Sequence, residues 1–362
     1  MLVRPFLGHR SLKNHELRIM NLTGRTESPL ILHCHIPKTA GTTISAGLRK
    51  SFDLFHFNHF HSDPFYILSR EALEDALEFN PGLRSISSHH LRSFPLSLAG
   101  RPTFLMTFLR KPEETFVSQL RYAQREFSTF SPEAKRFWPE NTPRLPLREL
   151  ARQFLDVMTE YQDYCPQTRF LCNSESMSSL GLSDGNQFGL DSCEIARAIL
   201  NGFHFVGVVE EIKKSLEVLT DRLLQWEVRV YFDPNLRLNS SPDNSMPAWL
   251  TPNDEVGRRV LETSKSDRLL HDHFRKRLLE SHRELRKRRW LGFRPAVADA
   301  KDAFAGNWRD GTRSLVNSAN LYWSRRIDRI EPSVTSPPSS DLLEIRAARA
   351  IAGRMRLTPV IR

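Results

Sequence analysis

Residues 33–44 read HCHIPKTAGTTI and directly follow the apolar run Leu30, Ile31 and Leu32. A short strand over 30–35 that turns into a helix over 42–52 accounts for the pattern. Ile44, Ala46, Leu48 and Phe52 supply an apolar face, and basic residues lie between them. A strand-to-helix junction presents backbone N–H groups and the positive end of a helix dipole, so it collects anions. Lys38 ahead of the helix, Gly41 for close backbone approach, and the hydroxyls of Thr42 and Thr43 suit a phosphate-bearing ligand.

A second junction of the same kind follows. TFLMTF at 103–108 reads as a strand, then come Arg110, Lys111 and Pro112, then a helix to about 126 with Pro112 in its first turn. Around these two units the pattern predicts a helix over 70–79, a strand over 83–87 and a helix over 147–161. A strand over 203–209 then leads into a helix over 210–226. Strands alternating with helices imply βαβ units: an α/β fold with a mainly parallel sheet flanked by helices. Ligands in such folds sit beyond the carboxyl ends of the strands, where both basic junctions lie.

The rest of the chain divides by composition. Residues 1–28 have no clear period and read as an N-terminal extension. The stretch 234–252, rich in Pro, Ser and Asn, reads as a long loop, and 253–290 as one long helical region ending in a basic run at 283–289. Beyond it periodicity weakens, and SVTSPPSS at 333–340 is linker-like, so 293–362 is a C-terminal appendage to a domain spanning 29–292.

Against 42 Asp plus Glu, 52 Lys plus Arg leave a net charge of +10, which favours anionic partners without choosing among nucleotides, acidic glycans, nucleic acid and an acidic membrane face. No window approaches the roughly 18 apolar residues that a spanning helix needs, and charges interrupt the N-terminus before a signal-peptide core could form. A soluble protein without a transmembrane segment is expected. Cys34, Cys165, Cys172 and Cys193 lack the paired spacing of a zinc site and are too sparse for a disulfide scaffold; reduced thiols are expected, with Cys165 and Cys172 the one pair to check.

HIPKTAGTT departs from the triphosphate loop G-x-x-x-x-G-K-[ST], because Lys38 precedes Gly41, and no strand ends in an obvious Asp for Mg²⁺. An activated nucleotide other than a triphosphate fits better. HIPKTAGTT resembles the 5′-phosphosulfate loop of sulfotransferases, in the branch related to glycan 2-O-sulfotransferases and many bacterial sulfotransferase-like proteins. TFLRKPEETFVSQ at 107–119 is similar to that family's second motif, with Arg110 and, eight residues later, Ser118 for the donor's 3′-phosphate. FHFVGVVEEIKKSL at 203–216 resembles the late strand with its Gly and acidic residue. In order, the three motifs span roughly 30–220.

The resemblance implies a P-loop-like three-layer core. It also implies the donor 3′-phosphoadenosine 5′-phosphosulfate (PAPS), no metal, and a hydroxylated acceptor, a glycan or small molecule, rather than nucleic acid. A cytoplasmic location is expected from the charge-interrupted N-terminus, and the resemblance implies a bacterial source. Lys38 and the backbone of Thr39, Ala40, Gly41, Thr42 and Thr43 would hold the 5′-phosphosulfate, Arg110 and Ser118 the 3′-phosphate. Alignment of SISSHHLRSF at 85–94 places His89 on the family's catalytic histidine, with Ser88 where Gly is usual, and His90 remains the neighbouring alternative. Histidine can take a hydroxyl proton near neutral pH.

Other readings stay open. FHFNHFH at 55–61 invites a metal through His59 and His61 but reads better as a half-buried strand or an acceptor-lining loop. Glu210 and Glu211 read as helix-start electrostatics. A nucleotide kinase, or a nonenzymatic basic protein gripping an anionic polymer with its helix near 275–289, are the alternatives to a transferase.

Overall fold

The computed structural model describes residues 28–59, 67–92, 94–130, 132–159, 166–172, 192–233 and 245–290. Cys165, His61, almost all of the extension, the appendage and much of the loop expected at 234–252 lie outside them. At the centre is β1 (Leu30–Cys34), whose five residues are all buried. A strand this apolar needs cover on both faces, which is the habit of parallel sheets. Four parallel pairings give it that setting. β1 pairs with β3 (Ser85–Ser88) and with β5 (Arg101–Leu109); β3 also pairs with β2 (His56–His59), and β5 with β6 (Phe205–Val208). The short β4 (Ser97–Leu98) forms an antiparallel hairpin with the start of β5.

Alternate residues of the central strands sort to opposite faces. Leu30, Leu32 and Cys34, with Leu105 and Leu109, join one core together with α2 (Arg70–Phe79), α6 (Pro166–Leu171) and α7 (Ser192–Asn201). Ile31, with Phe104, Met106 and Phe108, joins another with α1 (Gly41–Phe52) and α8 (Ile212–Gln225). The period-2 alternation of a strand thus feeds both layers of helices. Gly207 pairs with Phe108 across β5 and β6, and a Cβ there would stand 2.4 Å from the Phe108 ring, so the bare backbone makes room for that side chain.

A third core joins α3 (Pro112–Glu126) to α5 (Leu147–Thr159) and α9 (Glu255–Thr263) through Phe116, Leu120, Phe154 and Val260. Between α3 and α5 lies the short α4 (Pro132–Lys135). The helical region expected as one piece over 253–290 is two helices, α9 and α10 (Lys265–Trp290). Thr263 donates its hydroxyl to the Arg259 carbonyl and Ser264 to that of Val260, bonds by which such side chains compete with the helical ladder. Likewise Phe203 and His204 precede β6, and a 3₁₀ turn, Val209–Glu211, separates β6 from α8. Among the described residues no helix is long and apolar enough to cross a membrane, and the buried Cys34 is a free thiol.

The sheet order is β2-β3-β1-β5 with β6 beside β5. The chain therefore leaves β1 toward β2 and β3, then returns to β5 on the other side. Such a reversal opens a crevice at the carboxyl ends of the two central strands. Residues 35–40 follow one of these strands and Arg110 the other.

Candidate active site at the carboxyl ends of the strands

The loop after β1 has an unusual backbone. Lys38 and Ala40 adopt positive φ, 66° and 63°, a left-handed conformation that non-glycine residues rarely take. Strain of this kind persists only where the surroundings impose it. Here Thr39 is buried and turns its hydroxyl inward to the Ile36 carbonyl at 2.8 Å, so its side chain braces the loop from within. Its own N–H reaches the Ile36 carbonyl at 3.4 Å, and that of Thr43 the Ala40 carbonyl at 3.0 Å. Gly41 opens α1 beneath the His35 ring, where a Cβ would fall 1.6 Å from the imidazole. Thr42 is exposed and Thr43 half-exposed at the first turn.

Lys38 lies over the Tyr122 ring, its Nζ 3.2 Å from the centroid. Burial, and then the nearby guanidinium groups of Arg125 and Arg110, lower its pKa to about 7 against the raising effect of Glu126. Arg110 stands across the crevice. Its guanidinium donates to the Lys38 carbonyl at 3.3 Å and also meets Glu114 at 3.3 Å, one turn along α3. The two junctions are therefore in direct contact. A half-exposed i,i+4 pair such as Arg110 and Glu114 is worth at most about 1 kcal/mol, less than the roughly 1.5–3 kcal/mol of a charge-assisted bond to a phosphate. Ser118 lies half-exposed on α3, two turns beyond Arg110.

The adjacent histidines of 85–94 have different surroundings. His89 stacks on the His35 ring with centroids 3.7 Å apart, and its Nδ1–H donates to the His35 carbonyl at 2.7 Å. With the proton on Nδ1, the lone pair is on Nε2. Burial lowers the His89 pKa to about 4, opposed by the bond to His35, so the ring is neutral at physiological pH. His90 is buried and meets His59 edge to face at 5.7 Å. Ser88, where the resembled pattern carries Gly, spends its hydroxyl internally: Oγ accepts from the His90 N–H at 2.9 Å and bonds His59 Nδ1 at 3.0 Å. The half-buried strand expected over 55–61 is β2 as far as His59. Its His56 and His59 bond Ser85 and Ser88 of β3. Among the described residues no three metal-ligating side chains come together.

Several residues that shape the site carry no motif. Gln167 of α6 accepts from the Arg110 N–H at 2.9 Å and donates to the Arg110 carbonyl at 2.7 Å. Glu210 does more than start a helix: it accepts from the Lys111 N–H at 2.7 Å and pairs with His271 at 3.0 Å, which with other bonds holds its pKa below the usual range although burial raises it. His35 and Tyr122 complete the surroundings of His89 and Lys38. Their identities, a His inside an apolar strand end and a Tyr among charges on a helix, are signals too common to single out. No protein-family model matches the chain, and no curated protein matches it.

Proposed function

We propose that this protein is a PAPS-dependent sulfotransferase with a P-loop-like core, acting on a hydroxyl of a carbohydrate or small molecule. The observation that carries the reading is the bond from Arg110 to the Lys38 carbonyl: a phosphate-type loop and a second phosphate-seeking Arg meet across one crevice. A nucleotide with anionic groups at both its 5′ and 3′ positions spans such a pair. Lys38 and the opening of α1 hold the 5′-phosphosulfate; Arg110 and Ser118 hold the 3′-phosphate. The neutral His89, oriented by the His35 carbonyl, takes the acceptor's hydroxyl proton on Nε2. As the acceptor oxygen bonds to sulfur, the bond from sulfur to the phosphate oxygen breaks, and adenosine 3′,5′-bisphosphate departs with its new charge beside Lys38.

Donor binding prepares both groups. An anion next to Lys38 and His89 favours their protonated forms, so it restores the lysine's charge and makes the histidine a better base. The testing experiment incubates the full-length protein with ³⁵S-labelled PAPS and a panel of hydroxylated acceptors. Transferred label is expected, with His89→Ala lowering the rate by roughly 10²–10⁴ and His90→Ala leaving the catalytic chemistry in place. A His89→Ala variant at wild-type rate with a verified acceptor overturns the mechanism.

A further inference from the structure

Arg110 is the residue whose placement the proposed reading needs most, yet its own backbone lies at the loose end of a strand. Three lines of side chains converge on that point, and all start from one face of the first two turns of α10. Asp267, fully buried, accepts from the Gln167 N–H at 3.0 Å, the Thr168 N–H at 2.7 Å and the Thr168 hydroxyl at 2.6 Å. Gln167, itself buried, then grips both polar atoms of the Arg110 backbone. Arg268 pairs with the buried Glu113 in the first turn of α3. His271 pairs with Glu210, which holds the Lys111 N–H. Residues 110, 111 and 113 are thus each tied to α10, two of them through one intermediate side chain.

Resting on the sulfotransferase reading, we infer that Gln167, fixed by Asp267, is a positioning residue that sets where the Arg110 guanidinium meets the donor's 3′-phosphate, and so underlies selection of a 3′-phosphorylated nucleotide. Gln167 touches no ligand in this scheme. Its two bonds fix both ends of the Arg110 peptide geometry, which leaves the side chain a narrow arc toward the Lys38 carbonyl. A guanidinium fork repays such fixing because its bonds to phosphate are directional. Without the clamp the charge remains but its orientation does not, and affinity then falls for ligands that carry a 3′-phosphate and not for others.

The test titrates the full-length protein with adenosine 3′,5′-bisphosphate and with adenosine 5′-phosphosulfate, which lacks the 3′-phosphate. Wild type, Gln167→Met, Asp267→Asn, Arg110→Ala and the Gln167→Met/Arg110→Ala double variant are compared. Gln167→Met and Asp267→Asn should each weaken the bisphosphate about tenfold and the phosphosulfate less than about twofold, and the double variant should lose no more than Arg110→Ala alone, the mark of two residues acting through one contact. Equal weakening of both ligands, additive losses in the double variant, or an unchanged preference overturns the inference. A wild-type protein with no preference for the bisphosphate would instead overturn the underlying reading. Thermal denaturation of each variant establishes that the fold is intact, and the substitution at Asp267, one layer further from Arg110, keeps the test decisive if Gln167→Met does not fold.

Discussion

The two strand-to-helix junctions bind the same kind of group in this account but are built differently. The loop after β1 is held from within: left-handed Lys38 and Ala40, the inward hydroxyl of Thr39, and Gly41 packed beneath the His35 ring of the same segment. The junction after β5 enters α3 through Pro112, and side chains from distant elements grip its backbone, Gln167 on Arg110 and Glu210 on Lys111. A site wall can therefore be specified locally or remotely. Only the first kind leaves its mark in a short stretch of sequence.

Substituting the local hinge should break the first junction most severely. Gly41→Ala drives a methyl group into the His35 ring, which is sandwiched between His33 and His89, and overpacking of this kind costs about 1–3 kcal/mol. Denaturant unfolding should register that loss, and calorimetry should register a donor-product affinity reduced more than about tenfold, because ring displacement also moves the loop.

The charge carriers of the two junctions differ as well, and pH separates them. Lys38 has a pKa of about 7 in the free protein, lowered by burial and by Arg125 and Arg110 with Glu126 opposing; on the proposed reading a bound bisphosphate would raise it. Below about 7 the lysine is already charged; above it, binding must draw a proton from solution. Affinity for adenosine 3′,5′-bisphosphate should therefore fall between pH 7.5 and 9 by up to about tenfold per unit, with proton uptake visible as a dependence of binding heat on the buffer. Lys38→Arg should flatten that profile, since guanidinium stays charged throughout. A flat wild-type profile would show that Lys38 does not meet the phosphate.

The smallest effect is expected where the second junction is specified remotely. Lys111→Ala should change stability by less than about 0.5 kcal/mol, because Glu210 holds the backbone N–H and the exposed lysine side chain contributes little. A larger loss in chemical denaturation would place a local determinant there after all.

The same contrast marks what the chain reveals on reading. The strands at 30–35, 83–87 and 103–108 and the helices at 70–79 and 112–126 are legible because apolar periodicity and Pro112 in a first helical turn are short-range signals. The parallel sheet follows from their alternation. Lys38 and Arg110 stand out as basic residues at strand-to-helix junctions, whereas His89 is singled out over His90 by the family resemblance alone. The break at Ser264 is not, since two hydroxyls bonding backward change no hydrophobic period. Nor is the bracing of Arg110: Gln167 lies 57 residues away in sequence and Asp267 a further 100, so only the packing of α6 and α10 brings them together.

The most direct measurement is the melting temperature of the full-length protein, without Mg²⁺, in the presence of adenosine 3′,5′-bisphosphate, adenosine 5′-phosphosulfate or ATP. At about 100 times its dissociation constant a ligand adds roughly 2.7 kcal/mol, several degrees for a domain of this size. The account predicts that shift for the bisphosphate, a smaller one for the phosphosulfate at equal concentration, and none for ATP. Stabilisation by ATP that requires Mg²⁺, with no response to the bisphosphate, would contradict it.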